Sequence, residues 1–203
     1  MSEHQALQQV VEHALKEGID AWLTAPTCYF YESDVQALIY GLLRTKAIEI
    51  GVWESRGKLY PEWDPTLVAI VGTTPKVNQL EYWTRPDIVV YEPLGEEIRE
   101  DQPLFDRKLF CAIELKISFP NPPAKSVNFE KMFKYDLEKL ELLVGQEKSR
   151  YGISLNLIGL PPLRRPFGDE RSYLTNVGKD QRIKLVCVLA GDKNPITPSN
   201  PFW

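Results

Sequence analysis

The sequence predicts an α/β domain, on three observations. Two runs with helical periodicity come first, strand-like runs rich in β-branched and aromatic residues fill the middle, and a third helical run separates these from two further strands. The 203 residues suit a single domain spanning 1–203 with a full apolar core, and 43% hydrophobic against 26% charged residues is the balance of an ordinary globular protein.

The first helix is expected over residues 3–17. Leu7, Val10, Val11, Ala14 and Leu15 form one stripe, and Gly18 stands just past the end. His4 and His13 lie on this helix with no other ligand-type residue at helical spacing, so both read as solvated. Its charged residues exclude a signal-peptide hydrophobic region, and no window of the chain approaches the ~18 apolar residues of a membrane span. Residues 19–30 read as irregular. A second helix follows from Tyr31 to Thr45 on the stripe Tyr31, Val35, Leu38, Ile39 and Leu42, with Glu32 and Asp34 in its first turn, where the helix dipole favours acids. Strands are expected at 47–54 and 67–72, with Gln79 to Thr84 as a hairpin arm, together making an antiparallel meander. Trp53, Trp63, Tyr82 and Trp83 read as packing residues, since no basic residues interleave them regularly.

The two strands that follow carry charges where a purely structural strand places apolar groups. Arg85-Pro86-Asp87-Ile88-Val89-Val90-Tyr91 opens with a proline, which a strand's first residue tolerates, and so sets Asp87 near the strand end. In the run from Leu109 to Ile117, alternation puts Leu109, Cys111, Ile113, Leu115 and Ile117 on one face and Phe110, Ala112, Glu114 and Lys116 on the other. Glu114 and Lys116 thus share a face, roughly 6 to 7 Å apart along the strand. A solvated surface pair is the ordinary alternative for them. The acidic segment between the two strands, Glu92 to Lys108, reads as an exposed loop.

The prolines of residues 119–123 break the strand, and Ser126 or Asn128 can cap a long helix over Asn128 to Val144, with Gly145 as its stop. Lys131, Lys134 and Lys139 leave its apolar stripe and with Lys125 make the densest basic surface of the chain, which is either a solvated face or a phosphate-contacting one. Residues 151–160 form a strand ended by Pro161-Pro162; Arg164, Arg165 and Arg171 in the next loop allow the same two readings. The run 183–190, apolar but for Lys184, reads as a central strand buried on both faces, and the proline-rich tail 191–203 ends in Phe202-Trp203, a pair expected to pack on the domain or on a partner.

A net charge of -4 disfavours coating of nucleic acid by bulk electrostatics and leaves room for a local basic patch. Cys28, Cys111 and Cys187 are odd in number and lack metal-type spacing, so free thiols in a reducing cytoplasm are expected. There is no Gly-rich phosphate loop and no Ser or Cys nucleophile motif, and two histidines are too few for His-based acid-base chemistry or zinc.

Pro86-Asp87 followed by Glu114-Leu115-Lys116 resembles the PD-(D/E)xK nuclease superfamily, whose fold also underlies restriction endonucleases. Glu32 stands where that pattern carries a helical carboxylate before the sheet, and the helix at 128–144 follows the Glu-x-Lys strand as the pattern requires; the long gap between Asp87 and Glu114 departs from it. The resemblance covers about residues 30–160. It implies a three-layer α/β/α sandwich around a mixed central sheet, with a restriction-endonuclease-like αβββαβ core and an extra N-terminal helix. It also implies a metal-dependent nuclease acting on DNA. Asp87 and Glu114 would bind Mg²⁺, or Mn²⁺ in its place, with the main-chain carbonyl of Leu115 completing the shell; Lys116 would orient or deprotonate the attacking water; Glu32 would hold a metal-bound water or a second ion. Lys125, Lys131, Lys134, Arg164 and Arg165 are the candidate phosphate contacts. With no DNA-reading motif in the chain, specificity would come from loops, a homodimer or a protein partner. The alternatives are a catalytically silent domain of the same fold serving binding or assembly, and an unrelated α/β domain.

Overall fold

The computed structural model describes residues 2–29, 31–52, 68–70, 86–92, 108–118, 129–158 and 180–189. The expected hairpin arm at 79–84, the segments 93–107 and 119–128, the loop 159–179 and the tail 190–203 lie outside these.

Helix α1 spans Glu3–Thr24. Ser2 and Gln5 close a capping box: the Gln5 N–H donates to Ser2 Oγ at 3.2 Å and the Ser2 N–H to Gln5 Oε1 at 2.9 Å. The helix runs about two turns past Glu17, although the sequence suggested a stop at Gly18. Ile19 and Trp22 extend the buried stripe of Leu7, Val10, Val11, Ala14 and Leu15, and this burial outweighs the helix cost of one glycine, about 1 kcal/mol. Gly18 instead serves close packing, since a Cβ there would lie 3.1 Å from Ile39 Cγ1 on the next helix. A short 3₁₀ turn over Pro26–Cys28 then leads to α2, Glu32–Glu49. The expected strand from Ala47 does not begin there: Ala47 is fully buried on the stripe of Val35, Ile39 and Leu43, so this stripe carries the helix onward.

The strands are β1 (Val68–Ile70), β2 (Ile88–Tyr91), β3 (Leu109–Ser118), β4 (Ser149–Ile158) and β5 (Ile183–Leu189), with α3 (Phe129–Gly145) between β3 and β4. They form one mixed sheet in chain order: β1, β2 and β3 pair antiparallel, and β3, β4 and β5 pair parallel. Among the described residues, 183–189 therefore form the last strand of this sheet, where the sequence suggested a central one. Burial on both faces was the correct part of that expectation: Val186 and Val188 join the apolar cluster of α1 and α2, while Ile183, Leu185 and Cys187 join that of α3. A strand apolar at six of its seven positions, all but Lys184, reports that both faces are covered and says nothing about which edge is paired.

The same two clusters sort the residues of β3. Cys111, Ile113 and Leu115 face α1 and α2, and Ala112 faces α3. Near its start the expected alternation fails. Val90 pairs with Cys111 and Tyr91 with Leu109, so Phe110 has no partner on β2. This bulge turns Phe110 into the α1 cluster, against Tyr151 at 5.4 Å between ring centroids, and Leu109 into the α3 cluster.

Helix α3 lies close on β4 because Gly152 has no side chain; a Cβ there would be 3.2 Å from Leu140 Cβ. The helix ends in a Schellman motif, in which Lys148 N–H donates to Leu143 O at 3.0 Å and Glu147 N–H to Val144 O at 3.1 Å. Gly145, expected to be the stop, is still helical, and the left-handed position falls on Glu147 with φ 57°. A side chain at such a position is strained, so Glu147→Gly is expected to stabilise the protein by about 0.5–1 kcal/mol, read as a higher urea midpoint at unchanged m-value.

Candidate functional site

The β2–β3 ladder stops at the pair Ile88↔Ile113. One residue further along the same register, Asp87 falls opposite Glu114, and both belong to the α3 face with Val89 and Ala112. Beyond this point the β2 side of β3 has no ladder partner among the described residues, and the Leu115 N–H donates to Asp87 Oδ2 at 2.7 Å. The N–H and C=O of one strand residue leave on the same side, so the Leu115 carbonyl is directed toward the β2 edge as well. Gln36 Nε2 donates to the Asp87 carbonyl at 2.6 Å, tying α2 to the start of β2.

Glu32 and Asp34, equivalent in the sequence as first-turn acids, have different partners. Asp34 Oδ2 accepts from the Tyr31 N–H at 3.0 Å and caps α2. Glu32, half-buried, pairs across to Lys116, with Oε2 and Nζ 3.5 Å apart. Glu114 is only 1% exposed, and the Lys139 ammonium lies 2.7 Å from its Oε1. Asp136, 2% exposed, is one turn back from Lys139 on α3; its Oδ2 has no hydrogen-bond partner among the described residues. On β4, Ser154 stands opposite Glu114 and Asn156 opposite Lys116; both are buried, and Asn156 Nδ2 donates to Ser154 Oγ at 3.0 Å.

The electrostatics follow from burial with excess acid. Burial pushes the Glu114 carboxyl up to about 8; Lys139 opposes this and the Asp87 carboxylate adds to it. Glu32 and Asp136 are raised for the same first reason, with Lys116 working against both shifts and Asp87 adding to them. For Lys116 burial disfavours the charge, yet Asp136, Glu32, Asp87 and Glu114 together outweigh it and raise the pKa, so this lysine is a firm cation. Asp87 and Asp136 act on Glu32, Glu114 and Lys116 alike, which joins these groups in one field.

Of the residues singled out in the sequence, Asp87, Glu114, Lys116, Glu32 and Leu115 are thus brought together. Of the basic candidates, Lys134 is the one whose side chain is described. Lys134 is exposed and lies 3.8 Å from Glu138 of its own helix, while Lys125, Arg164, Arg165 and the Lys131 side chain are outside the described residues. Lys139 leaves the basic surface proposed for it and turns inward to Glu114. Asp136 and Gln36 were not anticipated. Asp136 had a signal: it lies four residues from both Met132 and Leu140, inside the apolar stripe, where a carboxylate needs a reason. Cys111 and Cys187 are buried free thiols as expected, with burial pushing Cys187 up to about 12.

Asp87 and Glu114 are the pair best placed to share a cation. Among the described residues no group of three or more His, Cys, Asp or Glu side chains is gathered to hold a metal, and no helix is long and apolar enough to cross a membrane. No protein-family model, curated protein or solved structure matches the chain.

The raised carboxyls fix a pH dependence. The unfolded chain releases the Glu114 proton near 4.5 and the folded chain holds it to about 8, so in that window the folded state binds more protons. Stability without divalent cations is expected to fall as pH rises through the window, by up to ~1.4 kcal/mol per pH unit from this group. Urea melts from pH 5 to 8 should show a flatter profile for Glu114→Gln; an equally steep one would assign the slope to other groups.

Proposed function

We propose that the chain is a Mg²⁺-dependent phosphodiester hydrolase of the PD-(D/E)xK kind, an endonuclease-like enzyme acting on DNA, with Mn²⁺ able to substitute. The observation that carries this reading is the end of the β2–β3 ladder, where the register sets Asp87 opposite Glu114, the Leu115 N–H donates to Asp87 Oδ2, and Lys116 pairs with Glu32 two residues on along β3. The element order α2, β1, β2, β3, α3, β4, with apolar clusters on both sheet faces, supports a restriction-endonuclease-like α/β/α sandwich to which α1 is the added N-terminal helix.

In this reading Asp87, Glu114 and the Leu115 carbonyl offer the hard oxygens that suit Mg²⁺, which commonly keeps water in its remaining positions and so needs few protein ligands. Bound there, the ion supplies stabilisation of the charge that builds on the phosphoryl oxygens. Lys116, held as a cation by the surrounding acids, orients the attacking water and balances charge in the transition state. Glu32 positions Lys116. Water oxygen bonds to phosphorus as the bond to the departing sugar oxygen breaks; the proton that the water loses passes to solvent, and the departing oxygen takes one up from solvent. DNA as substrate comes from the resemblance, and a second copy or a protein partner would supply specificity. A catalytically silent domain is the second reading; the Lys139–Glu114 pair favours it, because it compensates Glu114 without a metal.

Titration calorimetry with Mn²⁺ decides the first step. Binding is expected in the wild type and lost in Asp87→Ala and Glu114→Ala; no binding at all removes the hydrolase. Plasmid should then be nicked only with Mg²⁺ present, and Lys116→Ala should lower the rate 10²-fold or more at retained metal affinity. Metal binding with no cleavage of plasmid or single-stranded DNA would leave the silent domain.

A further inference from the structure

Glu114 carries a charge partner before any metal arrives. Resting on the metal-site reading above, we propose that Lys139 is a tethered counter-ion of the acidic pocket: its ammonium occupies Glu114 until a divalent cation takes that carboxylate, and the carboxylate of Asp136 then receives it.

Three observations lead there. The Lys139 ammonium is 2.7 Å from Glu114 Oε1 with the two side chains only 12% and 1% exposed, so it stands where a cation bound to Glu114 would have to stand. Asp136, one turn back on the same helix, is 2% exposed and has an oxygen with no hydrogen-bond partner among the described residues; an unpaired buried carboxylate oxygen is costly, and an arriving ammonium would satisfy it. The Tyr135 ring, with its centroid 6.0 Å from Lys139 Nζ, flanks the same turn. Lysine suits such a transfer, because its four-carbon stem can carry the charge from one carboxylate to another without moving the backbone. The backbone of α3 is held by the buried Leu140 and Val144.

Two consequences follow. The metal-free protein keeps Glu114 from being a buried uncompensated charge. A monovalent ion gains nothing by exchanging with an ammonium of equal charge, whereas a divalent ion does, so the pocket selects by valence.

Mn²⁺ calorimetry on the whole chain tests this with Lys139→Met and with Lys139→Gln, the latter keeping a hydrogen-bond donor should the former fail to fold. Both are expected to bind Mn²⁺ at least tenfold more tightly than the wild type; wild-type binding with unchanged or weaker affinity in the variants overturns the tether alone. Absence of binding in all three proteins removes the metal-site reading and the tether with it, while binding in the variants only supports the tether. Asp136→Asn should weaken binding several-fold beside Lys139 and have no effect in the Lys139→Met background; equal effects in both overturn the role given to Asp136. Should neither variant fold, the ¹⁵Nζ resonance of Lys139 in the wild type decides: it should shift on Mg²⁺ titration and saturate with binding, and an unmoved resonance overturns the proposal.

Discussion

The bond from the Leu115 N–H to Asp87 Oδ2 is the constraint around which the site is organised. Where β2 ends, a buried strand would be left with an unsatisfied donor, a loss on the order of 1–3 kcal/mol. The Asp87 carboxylate supplies the acceptor, and in doing so it is fixed beside Glu114 at the end of the ladder. Gln36 secures the same residue through its carbonyl, so α2 and the sheet share one anchor. The carboxylate that completes β3's hydrogen bonding is the one that charges the pocket.

Everything charged around that anchor is then crowded by burial. Helix α3 can approach because Gly152 yields space to Leu140, and this brings Asp136 and Lys139 over Glu114 and Lys116. Burial pushes the Glu114 carboxyl up to about 8, with the Lys139 ammonium opposing the shift and the Asp87 carboxylate adding to it.

Much of the architecture was legible in the chain. The periodicity of α1, α2 and α3 and the apolar runs of β3, β4 and β5 located these elements, because each buries a continuous stripe whose spacing is set by its own backbone. Ends were less legible. Gly18 and Gly145 looked like stops, yet packing on Ile39 and a Schellman motif at Glu147 decide where the chain turns. The exposed ends of a helix are set by what lies against them, which local sequence does not record.

For the site, alternation along β3 alone puts Glu114 and Lys116 on one face, while Asp87 and Glu32 were singled out through the resemblance to the PD-(D/E)xK pattern. What that pattern could not contain is which charge meets which. Lys139 belongs to Glu114 and not to solvent, Asp34 caps while Glu32 crosses to Lys116, and the edge position of β5 follows from pairing. The sequence determined the elements and the face each residue occupies, because those depend on backbone period. Only the tertiary structure decided the partners, because Coulomb and hydrogen-bond energies depend on distances between segments far apart in the chain.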